Sequence, residues 1–110
     1  MADDSNVLTV IRAMLSQLDE INTQAVEAIK AAPATTQTFT AATELADHLR
    51  RLGEAGADLR SHVAGRIWSA ERLSLAALAD RIGVSKARAD QLIRNAKKLA
   101  EVETSDKDPD

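Results

Sequence analysis

Between Leu75 and Arg94 the chain reads Leu-Ala-Ala-Leu-Ala-Asp-Arg-Ile-Gly-Val-Ser-Lys-Ala-Arg-Ala-Asp-Gln-Leu-Ile-Arg, which is the pattern of two short helices joined by a sharp turn. Leu75, Leu78, Ala79 and Ile82 recur at helical spacing and form one apolar stripe. Gly83 interrupts it, supplying the left-handed conformation that ends a helix. Val84 plugs the corner, and Ser85 is placed to cap a second helix with its own stripe at Ala89, Leu92, Ile93 and Ala96. Ser74 stands in the equivalent position before the first helix.

The charge distribution points to the same segment. The net charge of −3 is the sum of three unlike parts. Residues 1–65 hold five Lys/Arg against nine Asp/Glu (−4), residues 66–100 hold eight against three (+5), and residues 101–110 hold one against five (−4). The positive block coincides with the two-helix pattern, as expected of a surface that meets phosphates.

These residues resemble the helix-turn-helix of bacterial DNA-binding proteins, closest to the trihelical type of repressors and of the promoter-reading domain of sigma factors. The resemblance rests on Ala79 four residues before Gly83, on Leu78, Ile82 and Val84 around them, and on Ala89 and Leu92 in the second helix. It departs from the family at Ala89, where a larger branched side chain is usual, so a thinner core or a closer helix approach is expected. Residues 58–73 would supply the supporting first helix. The resemblance implies a second helix lying in the major groove of double-stranded DNA.

With Ala89, Leu92 and Ala96 facing the core, Ala87, Gln91, Arg94 and Lys98 fall on the opposite, reading face, flanked by Asp90 and Lys97 on one side and by Arg88 and Asn95 on the other. Gln91 suits adenine, Arg94 guanine, and Ala87 a thymine methyl. Lys86, Lys97 and Lys98 suit phosphates, as do the backbone N–H groups near Ser85. Asp90 would repel DNA unless paired, and Lys86 and Arg94 each lie four residues away. Trp68 has two readings, a wedge between base pairs or an anchor beneath Leu73, Leu78 and Leu92; the small core needs the anchor.

The preceding chain reads as a helical arm. Val7, Ile11, Met14, Leu18, Ile21, Ala25, Ala28 and Ala32 alternate in steps of four and three, a heptad seam that Leu8, Leu15 and Ile29 widen. Pro33 ends this helix, and Thr36 or Thr38 is placed to cap the next. That helix carries Phe39, Ala42, Leu45, Leu49, Leu52, Gly56, Leu59, Val63 and Ile67 at a similar period, so an antiparallel hairpin is expected, with a kink or local break at Gly53-Glu54-Ala55-Gly56. The surplus apolar surface on Val7, Ile11, Met14, Leu15, Leu18 and Ile21 predicts a homodimer.

The sequence is thus read as all-α: a helical dimerisation arm (1–57), a helix-turn-helix DNA-binding domain (58–100) and a disordered acidic tail (101–110). Helices are expected near 5–32, 36–70, 74–82 and 85–100. With no Cys, disulfides and thiolate metal sites are excluded and a cytoplasmic setting is expected. No signal peptide or apolar run of membrane length is seen. His48 and His62, the two histidines, are too far apart to share a metal, and no phosphate loop, metal motif or nucleophile elbow appears, so no catalytic, cofactor or metal site is assigned. The function expected is a dimeric, sequence-specific transcriptional regulator. Two alternatives stay open: a helical adaptor or antitoxin-like protein whose hairpin binds a protein partner, and a DNA-organising factor with little sequence preference.

Overall fold

The computed structural model describes residues 4–107, with side chains over 6–102, and every element in that range is helical. The helices are α1 (Asp4–Ala31), α2 (Thr36–Glu71), α3 (Leu75–Ile82) and α4 (Lys86–Lys107). No strand occurs among the described residues, and no helix among them is long and apolar enough to cross a membrane.

Three details of where helices begin, continue and end differ from the sequence reading. α2 continues through Gly53 and Gly56 without the expected break. Each glycine there costs about 1 kcal/mol against alanine, but helix propensity is a weak term that the rest of a 36-residue helix overrides. The residue capping α2 is Thr35 instead of Thr36 or Thr38: its Oγ1 accepts from the Thr38 N–H at 3.2 Å and its carbonyl from the Phe39 N–H at 3.1 Å. α4 does not stop at residue 100 but runs to Lys107, since nothing between Glu101 and Lys107 breaks a helix; of the expected acidic tail, residues 108–110 lie outside the described range.

The chain divides into two compact units, Met1–Asp47 and His48–Asp110. In the first, half-buried positions fall at Asn22, Ala25, Val26 and Ile29 on α1 and at Thr38, Ala42 and Leu45 on α2, one face of each helix beside the Pro33 turn. The covered face of α1 is therefore rotated from the heptad seam, leaving Ile21 and Ala28 exposed. Towards the start of α1 burial vanishes, and Val7, Leu8, Val10, Ile11, Met14, Leu15, Leu18 and Ile21 are 42–62% exposed.

The second unit holds a small core. Leu78 and Ala79 of α3 meet Ala89 and Ile93 of α4, with Leu78 and Ala89 fully enclosed. Ile67, Trp68, Leu73, Leu75, Ile82 and Val84 pack around them, so Trp68 serves as the expected anchor. Both turns form as read. The Ser74 hydroxyl accepts from the Ala77 N–H at 3.1 Å, Ser85 Oγ accepts from the Arg88 N–H at 3.0 Å, and Gly83 ends α3 at φ 72°, ψ 38°. Gly65 lies where α2 crosses α4: a Cβ built on it would stand 2.9 Å from the Ala96 Cβ, closer than side chains approach.

Candidate nucleic-acid interface

α4 is two-faced because its apolar residues recur at helical spacing. Ala89, Leu92 and Ile93 are buried, while Ser85, Lys86, Ala87, Gln91, Arg94, Lys97 and Lys98 are exposed and Arg88 and Asp90 half-buried. All nine sequence-assigned DNA-binding positions thus lie on one helix or its cap, within fourteen residues. The first-turn N–H groups of Lys86 and Ala87 have no intrahelical acceptor and sit at the positive end of the helix dipole.

Two pairs of polar side chains on this face are held by contacts along the helix. Asp90 Oδ2 pairs with Arg94 Nη2 at 2.6 Å, which selects Arg94 over Lys86 as its partner. The pair neutralises the one carboxylate on the face and leaves the remaining guanidinium N–H donors of Arg94 free in direction. One turn earlier, Arg88 Nη1 donates to Gln91 Oε1 at 3.4 Å, a long bond that still orients the Gln91 amide. Lys86 and Lys98 are exposed cations with no carboxylate within ion-pair distance among the described residues.

Two residues make contacts that the sequence reading did not include. Lys97 carries its ammonium 5.1 Å from the centroid of the Trp68 ring, a cation–π contact that ties it to α2 at the margin of the face. Asn95 does not flank the reading stripe: its Nδ2 donates to Ser61 Oγ at 2.9 Å and to Asp58 Oδ1 at 3.2 Å. Ser61 is buried, so this bond satisfies a hydroxyl that would otherwise be stranded. Asp58, Ser61 and Asn95 together fix how α4 is rotated against α2. The three-residue step from Asp58 to Ser61 places both on one helix face, which the sequence offers as a signal; Asn95, 34 residues beyond Ser61, is brought there only by folding. Glu71 and Arg81 pair at the other end, tying the close of α2 to the last turn of α3.

The sequence-assigned dimerisation residues, Val7, Ile11, Met14, Leu15, Leu18 and Ile21, all belong to the exposed part of α1 and form no part of this face. Among the described residues no group of three or more His, Cys, Asp or Glu side chains is gathered closely enough to hold a metal ion. Comparison of the chain with protein-family models, with curated proteins and with solved structures finds no match in any of the three.

Proposed function

We propose that this chain is a sequence-specific DNA-binding transcriptional regulator acting as a dimer in the cytoplasm, with α4 as a recognition helix in the major groove and α2 and α3 as its helix-turn-helix support. One observation carries the reading: α4 buries Ala89, Leu92 and Ile93 and presents Lys86, Ala87, Gln91, Arg94 and Lys98 together on its exposed side. A helix of about 10–12 Å diameter fits the ~12 Å major groove, and this side chain set combines donors for base edges with cations for phosphates. The positive segment lies within an otherwise acidic chain, so the field that would steer DNA is confined to this unit.

Dimer formation through α1 is supported by its eight exposed apolar side chains, a patch on the order of a few hundred Å², the size at which exposed apolar surface marks an interaction site. A second copy of α1 presents the same stripe and is the partner that satisfies both at once.

The test is selection of bound duplexes from a random pool, followed by gel shifts at two salt concentrations. An enriched motif bound more tightly than random duplex is the expected outcome. Salt-sensitive binding without an enriched motif favours a DNA-organising protein instead, and absence of binding favours a helical adaptor.

A further inference from the structure

The two turns on either side of α3 share one backbone plan but differ at the critical residue. After α3, the Val84 N–H reaches back to the Ala79 carbonyl at 2.9 Å, and the residue between, Gly83, is left-handed at φ 72°. After α2, the Leu73 N–H reaches back to the Trp68 carbonyl at 3.2 Å, and the corresponding residue, Arg72, is left-handed at φ 53°. Both are Schellman closures, in which an apolar residue following the left-handed position packs inward; Val84 and Leu73 do so against the same core. Glycine takes this conformation freely, whereas an L side chain brings its Cβ too close to the following carbonyl. Arg72 is the only non-glycine residue with positive φ among the described residues.

The backbone at position 72 thus favours glycine, which the chain uses for the identical task eleven residues later. Nothing within the described chain accounts for arginine there. Its side chain is exposed, its neighbour Glu71 is engaged by Arg81, and no carboxylate lies within ion-pair distance of it among the described residues. It belongs to the positive segment, two residues ahead of the Ser74 cap of α3.

We infer that Arg72 is a phosphate ligand for duplex DNA, kept in a strained turn because a guanidinium at that point fixes the reader on the DNA backbone. This deepens the DNA-binding reading and rests on it. A planar guanidinium meets a phosphate with two parallel hydrogen bonds and stays charged at any physiological pH. Such a contact positions the protein without reading sequence, so its loss must weaken all duplexes alike.

The experiment compares the full chain with Arg72→Gly, Arg72→Asn and Arg72→Lys. It reads the thermal midpoint, and the affinity for a random-sequence duplex and for the duplex enriched by the unsubstituted protein, over a series of salt concentrations. Asparagine tolerates the left-handed region, so the Asn variant removes the charge while keeping a side chain. The expected result is crossed: the Gly variant melts higher, and the Gly and Asn variants bind both duplexes several-fold more weakly by the same factor. The slope of log affinity against log salt falls by about one for both, while the Lys variant keeps it. A Gly variant that melts lower than the parent overturns the inference, because the side chain then serves the fold. A Gly variant that melts higher with affinity and salt slope unchanged overturns it as well, leaving the α4 reading in place. If the unsubstituted chain binds no duplex, both fall together.

Discussion

Ala89 and Gly65 are small residues at which helices of the second unit approach each other closely. Ala89 is fully enclosed beside Leu78 and Ala79, so Ala89→Leu should overpack the site and cost about 1–3 kcal/mol in a denaturant melt. Leu78→Ala, which empties the centre of the same cluster, should cost about 2–5 kcal/mol by the same measurement. At Gly65 an added methyl meets the Ala96 Cβ, so α4 must shift; Gly65→Ala should lower both the melting midpoint and DNA affinity, and unchanged affinity would show that the α2–α4 crossing is not what aims the reader. On the exposed side, Arg94→Ala or Gln91→Ala should cost about 1–3 kcal/mol in binding and relax preference at one base pair. Lys98→Ala should weaken all sequences equally and lower the salt slope by about one unit. Lys97→Ala is a less clean probe, because it also removes the contact with Trp68. Asp90→Asn releases the Arg94 guanidinium from its partner; tighter binding to random duplex and poorer discrimination are expected, both measurable by competition gel shift.

At the scale of elements, α3 is a short helix with a cap at each end, whereas α1 is long and poorly covered. α3 is only eight residues long, well below the length at which an isolated helix persists in water, so its cap at Ser74 and the burial of Leu78 and Ala79 must hold it. Ser74→Ala should therefore cost about 1 kcal/mol in a denaturant melt. α1 presents the opposite case, with a continuous apolar stripe and no cover over its N-terminal half. Replacing Ile11 and Leu18 with Asp should convert a dimer to a monomer in sedimentation at micromolar concentration and weaken binding to a two-half-site duplex. The circular dichroism and melting of the second unit should be unaffected. A parent protein that sediments as a clean monomer with and without DNA would remove the arm from the mechanism.

For the whole molecule, the proposed two-fold dimer would carry two copies of α4, and a DNA target for it should contain two inverted half-sites. Their centres should lie about 34 Å apart, one turn of duplex, or a multiple of that. Inserting five base pairs between the half-sites turns one of them to the far side of the helix; the expected result is a loss of affinity to the level of a single half-site, restored by inserting ten. Retained affinity at every spacing would mean that the two readers are not rigidly coupled.

Much of this chain was legible in its residues because the decisive signals are local. Ser74, Gly83 and Ser85 act through their own turns, and the stripes of α3 and α4 repeat at the helical period, so the two short helices and the exposed face of α4 needed no knowledge of distant contacts. The Asp90–Arg94 pair is local too, four residues apart on one helix, although the choice of Arg94 over Lys86 was made by side-chain geometry. The misreadings have physical causes of equal plainness. Gly53 and Gly56 suggested a break by propensity, yet α2 is held by the summed bonds of the whole helix. The apolar period of α1 announced a seam without saying which edge would be covered beside the Pro33 turn. Tertiary structure alone decided the rest: that Asn95 turns inward to Ser61 and Asp58, that Lys97 rests on Trp68, and that Gly65 admits Ala96. Each joins residues about thirty or more apart in sequence. No period or cap encodes such a pairing, because it exists only once burial of Leu78, Ala89 and Ile93 has brought the helices together.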